Sequence, residues 1–166
     1  MYKQHLLQNL EREILLLKQI APLIKEEDLQ FRPAEKVRSM LEMMQYLSGI
    51  GSTMLRWFVK NDITKEEWQK IREYRSTLTL QNFELRLDEQ WADIQKYMDE
   101  ITEEDLVTKI VELPSKEKMV LGAAIINAPI KWLTAYRMEL FLYLKITGHS
   151  HISTREAWNL NQGMPA

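Results

Sequence analysis

The sequence predicts an all-α protein, a four-helix bundle with a short extra helix in the connection between its second and third long helices. Three observations predict this. Apolar residues recur at gaps of three and four along four long segments, the period of one helical face. Glycine and proline are scarce, five of each in 166 residues, so few turns can interrupt those segments. No internal repeat, low-complexity stretch or linker divides the chain. It reads as one bundle domain over 1–166, with a mostly irregular tail over 149–166.

The first segment places Leu7, Leu10, Ile14, Leu17, Ala21 and Ile24 on one stripe, with Glu11, Arg12, Glu13 and Lys18 on the wet side. Pro22 ends or kinks this helix around Ile20. "FRPAEKVRS" is turn-rich, and Pro33 biases Arg32 away from helix. Ser39 and Glu42 have the spacing of a capping box for the second helix, with Ala34 as an alternative start. Met40, Met43, Leu47, Ile50, Met54 and Phe58 make the second stripe, read as one helix. Gly49 and Gly51 inside it suit close helix–helix approach.

"NDITKEEWQKIREY" reads as the short extra helix, capped by Asp62 or Thr64. Leu87, Trp91, Ile94, Met98 and Ile101 repeat at four, three, four and three, the third long helix. "TEEDLVTKIVELPSKEK" is a polar crossing whose one apolar run suits extended chain. The last long helix is predicted from Glu117 to Ile146, with Gly148 as its stop and a kink at Pro129, just before Trp132.

Composition excludes several function classes. With 22 basic and 24 acidic residues the net charge is −2, without the basic footprint of a nucleic-acid binder. The absence of cysteine removes disulfides, thiolate zinc sites and thiol catalysis. The N-terminus lacks the apolar core of a secretion signal, and no run approaches the roughly 18 apolar residues of a membrane span. The expectation is a cytoplasmic protein with neither nucleic acid nor membrane as partner.

Catalytic motifs are sparse. The three histidines are His5, His149 and His151. His149-x-His151 lies in a predicted loop and offers two ligands where zinc sites use three or four, so both read as ordinary surface histidines. There is no H-E-x-x-H and no Glu-x-x-His, which excludes a di-iron bundle by ligand count. Nucleophile-elbow, P-loop and dinucleotide-binding patterns are also missing. Runs such as "KEED" sit at helix ends, where acidic groups favour the dipole. Glu42 is the better candidate for a buried carboxylate. Arg137 and Glu139 flank the aromatic face of the last helix, where an internal Arg–Glu pair across helices is the structural reading.

Two segments together resemble a family. "FRPAEKVRSMLEMMQYLSGIG" resembles the entry to the second helix of the DinB-like (YfiT-type) four-helix-bundle superfamily. "WLTAYRMELFLYLKITG" resembles its last helix, with Arg137, Leu140, Tyr143, Leu144, Lys145 and Gly148 in register. The resemblance implies a four-helix bundle, a divalent metal held by three histidines, thiol-transferase or hydrolase chemistry, and a homodimer. Carried over by position, the histidine of the second helix falls on Tyr46 and the pair in the last helix on Trp132 and Tyr136.

The replacements change the chemistry. Indole offers only an N–H donor, and a phenol ligates well only as phenolate, far from its ordinary pKa. Neither substitutes for the neutral imidazole that suits zinc or nickel. Three readings follow: the rings are plain core; they line a metal-free cleft for a small molecule, with Gln45, Glu42 and Arg137 nearby; or a divalent metal such as zinc or nickel has relocated and a transferase or hydrolase persists. The first two expect no cofactor.

Overall fold

A computed structural model describes residues 1–160, and its helices meet as four rods. The first rod is α1, Tyr2–Ile20. Leu10, Ile14 and Leu17 are buried on it as the period requires, with Leu6 and Ile20 beside them, while Leu7, expected on the same stripe, is only partly buried. A 3₁₀ turn with Pro22 at its start follows Ile20, because proline cannot donate to the preceding turn. Glu13 departs from the expected wet face and is buried on α1. Its partner, Arg137, is distant in sequence, so periodicity alone could not place it inside.

The second rod is two helices, not one: α2, Met40–Leu47, and α3, Ile50–Lys60. The Ser39 capping box is present in both directions, with Glu42 N–H donating to Ser39 Oγ at 3.2 Å and Ser39 N–H to Glu42 Oε2 at 2.8 Å. The rod breaks at Ser48–Gly49, where Gly49 leaves helical geometry at ψ 0°. The break frees backbone groups that must be satisfied in the core. Gln90 does this: it accepts from Gly51 N–H at 2.8 Å and donates to the Leu47 carbonyl at 2.9 Å. Gly51 is also the close approach, since a Cβ there would meet Leu133 at 3.0 Å and Gln90 at 3.1 Å.

The extra helix α4, Lys65–Ser76, is capped by Thr64, whose Oγ1 accepts from Glu67 N–H at 3.2 Å. It buries none of its residues fully. It therefore leans on the bundle rather than joining its core, with the Trp68 ring 6.3 Å from Trp57. The third rod is α5, Phe83–Asp99, facing inward with Phe83, Leu87, Gln90, Ile94 and Met98. Trp91, expected on this stripe, is only partly buried, and Gln90 takes the inward place.

The polar crossing holds α6, Glu103–Thr108, and a hairpin of β1, Ile110–Glu112, against β2, Lys118–Val120. Val111 pairs with Met119, antiparallel. The last helix therefore starts four residues later than expected from Glu117, because residues 118–120 pair with β1. That fourth rod runs as α7, Leu121–Ile125, a π turn over Ile126–Ile130, and α8, Lys131–Ile146. Pro129 lies inside the π turn. The wider turn accommodates a residue that cannot complete the ordinary hydrogen-bond ladder. Gly148 adopts φ 111°, and His149 N–H donates to the Leu144 carbonyl at 3.0 Å, closing the helix end.

The tail is less irregular than expected. A short helix α9, Thr154–Trp158, capped by Ser153 and Glu156, packs on α1 and α8. Residues 161–166 of the predicted tail lie outside the described residues. Among the described residues no helix is long and apolar enough to cross a membrane.

Candidate functional site

α2 and α8 pack side by side, which brings Tyr46 against Tyr136. Their ring centroids are 4.8 Å apart at 69°, an edge-to-face pair. The Arg38 guanidinium lies 4.4 Å from the Tyr46 ring centre and 5.3 Å from that of Tyr136. Arg75, from α4, lies 5.9 Å from the Tyr46 ring centre. Burial, reinforced by the neighbouring Tyr136 phenol, pushes the Tyr46 hydroxyl up to about 12. Tyr46 is thus a neutral phenol at any ordinary pH.

The other predicted residues occupy different settings. Trp132 packs partly buried against the core, and no ring pair joins it to either phenol among the described residues. Gln45 is half-buried on α2. Glu42 is exposed rather than buried, since it serves the helix cap and pairs with Arg32 at 2.9 Å. That Arg32 contact holds its carboxyl below the usual range.

The Arg–Glu pair across helices exists, but with a different glutamate from Glu139. Arg137 is fully buried, its Nε 2.7 Å from Glu13 Oε2 and its Nη2 3.3 Å from Glu13 Oε1. Its Nη1 donates to the Ala157 carbonyl, and the Trp158 ring centre lies 5.2 Å away. Glu139 instead accepts from the Tyr143 hydroxyl at 2.7 Å. Arg137 ties α1, α8 and α9 together with these donors.

His149 is not a surface histidine. It is only 7% exposed, with Nε2 3.2 Å from Asp28 Oδ2, while His151 is exposed. Burial alone would raise the Asp28 carboxyl, yet the Lys25 amide, His149 and Thr147 outweigh it and hold the carboxyl below its usual range.

Sequence reasoning missed one cavity. A groove of about 630 Å³ opens between α3, α4 and α5. Tyr46, Trp132 and Tyr136 do not line it. Gly49, Thr53 and Gln90 contribute to its wall on the bundle side, and Ile71, Tyr74 and Arg75 on the α4 side. The groove exists because α4 has no apolar stripe to pull it flush against the bundle. The polar composition of α4, with two arginines and two aromatics on one short helix, was the available signal in the sequence.

Arg75 connects the groove to the Tyr46 cluster. Its Nη2 donates to Thr53 Oγ1 at 2.7 Å. A Cβ at position 49 would sit 3.1 Å from Arg75 Nε, so glycine makes room for the guanidinium. Burial pushes the group down to about 10, and repulsion from Arg38 adds to this. It remains charged at neutral pH.

No family model matches the sequence, and no curated protein matches it. Solved structures do. A protein from Exiguobacterium sibiricum 255-15, assigned to the DinB family, superposes with a TM-score of 0.72 at 20% identity, over 92% of this chain and 95% of that one. A DinB-like protein of Bacillus subtilis, YjoA, does so with a TM-score of 0.68 at 14% identity, over 90% of this chain and 95% of that one. The helical rods described above, in this order and with these connections, therefore make a DinB-like fold.

Proposed function

We propose that the chain is a metal-free member of the DinB-like superfamily and binds a small molecule in the groove between α3, α4 and α5. The observation that carries the first half is the Tyr46–Tyr136 pair beneath Arg38. The side chains at the family's ligand positions do not fit a divalent cation. Indole nitrogen cannot donate a lone pair to a metal. Tyr46 would have to lose a proton held up to about 12, beside a guanidinium that repels any cation. Among the described residues, no group of three or more histidine, aspartate or glutamate side chains is arranged to hold an ion.

The second half is supported by the groove. It has the size of a small-molecule site, and charged and hydroxyl groups share its lining with Ile71, Ala92 and the rings of Tyr74 and Tyr97.

Metal analysis of the purified full chain, followed by zinc and nickel titration, tests the reading. The expected result is no stoichiometric metal and no binding stronger than that of exposed histidines. A triple variant with Tyr46→His, Trp132→His and Tyr136→His is expected to gain binding, since imidazole restores the donors. One equivalent of transition metal retained by the unaltered chain would overturn the proposal in favour of a metal-dependent enzyme.

A further inference from the structure

We propose that the groove takes a small organic anion, its single oxyanion head held by Arg75 and its apolar or aromatic body lying along Ile71, Tyr74 and Tyr97. This rests on the small-molecule reading above and names the chemistry of the ligand.

The charges lining the groove are mostly spoken for. Arg56 pairs with Asp62 at 2.9 Å and with Glu67 at 3.1 Å. Lys70 pairs with Glu67 at 2.8 Å. Arg86 reaches Glu89 at 3.4 Å and lies 3.6 Å from the Tyr74 ring centre. Arg75 differs. Among the described residues no carboxylate lies within ion-pair reach of it, and its hydrogen-bond partner is the neutral Thr53 hydroxyl.

A guanidinium carries five N–H donors in a planar fork. Among the described residues no buried side-chain nitrogen or oxygen lacks a partner, so the unused donors of Arg75 reach solvent space. A sheltered cation without a counter-charge is costly, and a second cation nearby increases the cost. Arg38 supplies that second cation, stacked on Tyr46 and, among the described residues, with no carboxylate inside 4 Å, Glu42 acting on it only from further off. An incoming oxyanion relieves both penalties at once. The fork geometry of arginine favours a carboxylate or phosphate oxygen pair over a neutral group.

Only one negative charge is accommodated well. Glu67, Glu89 and Asp93 line the same groove. Asp93 makes no ion pair within 4 Å among the described residues, and burial, with Glu89 nearby, raises its carboxyl pKa against the pull of Lys96 and Arg56. A polyanion would meet that wall, whereas a monoanion with an uncharged body would not.

The test uses the isotopically labelled full chain, with benzoate, phenyl phosphate and benzamide each added to about 10 mM, a range that detects weak sites. Benzoate is expected to move the backbone amide signals of Gly49, Gly51 and Thr53. Benzamide, its neutral analogue, should bind at least about tenfold more weakly, since it lacks the charge-assisted bond. Phenyl phosphate, carrying a second charge, should also bind less tightly than benzoate. Arg75→Gln should weaken benzoate about tenfold, and Arg75→Lys less, since charge without the fork remains. Asp93→Asn, at an exposed position that does not threaten folding, should tighten benzoate about twofold.

Equal response to benzamide and benzoate would overturn the anion inference and leave the small-molecule reading standing. Silence toward all three probes would overturn both. Tighter binding of phenyl phosphate than of benzoate would overturn the single-charge preference. If Arg75→Gln does not fold, Asp93→Asn decides, and unchanged benzoate affinity in that variant counts against the proposal.

Discussion

Arg137 and Glu13 come from the last and first long helices and meet inside the bundle at 2.7 Å, with the arginine wholly withdrawn from water. Removing one partner strands a buried charge. Glu13→Ala and Arg137→Ala should each cost about 3–5 kcal/mol of stability, read from urea unfolding. The paired change Glu13→Leu with Arg137→Met should cost much less than the sum, because no ion is then left buried.

Gln90 is expected to matter more than its neutral side chain suggests. Gln90→Leu leaves the Leu47 carbonyl and the Gly51 amide without their partner. Two unpaired buried backbone groups should cost about 2–4 kcal/mol. Native-state hydrogen exchange at Gly51 should rise in the same variant, and an unchanged rate would count against this role.

Alkaline behaviour follows from Tyr46. Its folded pKa, about 12, lies above its ordinary value of 10. The folded state therefore holds its proton more tightly than the unfolded chain. The associated stability is fully present below pH 10 and is lost as pH rises through 10 toward about 12. Tyr46→Phe should flatten the decline of urea midpoints above pH 10 relative to the unaltered chain. Ultraviolet titration should lose one late-ionising phenol.

Acid behaviour follows from Asp28, with the opposite sign. Its folded pKa is depressed below 3.8, so its contribution is present above that pH and is lost as pH falls through the folded value. Asp28→Asn should be less stable than the unaltered chain near neutrality, because the bond to His149 loses its charged acceptor. The two should converge under acid, as midpoint measurements between neutrality and strong acid can show. A constant difference across that range would argue that Asp28 acts by packing alone.

The elements that the sequence revealed are those carried by local repetition. Leu10, Ile14 and Leu17, or Leu87, Ile94 and Met98, recur at one helical period, and a stripe of that kind has one inward face. The Ser39 capping box and the Gly148 stop are equally local. What escaped was fixed across the chain. The break at Ser48–Gly49 is stable because Gln90 lies opposite, and Glu13 is buried because Arg137 meets it. His149 is the loop residue expected, but it read as a surface one because Asp28, its partner, is remote in sequence.

The candidate site divides in the same way. Family register located Tyr46 and Tyr136, which do meet. Arg38 and Arg75 were not legible, since stacking on a ring leaves no periodic trace. The groove left only the polar composition of α4 as its trace, because it is defined by what that helix fails to bury.

The clasp of α9 over Arg137 couples the outermost helix to the innermost charge. Arg137 donates to Ala157, so its guanidinium has its full set of acceptors only while α9 is docked. Local opening of α9 therefore cannot be a purely peripheral event: it takes an acceptor from a cation buried between α1 and α8.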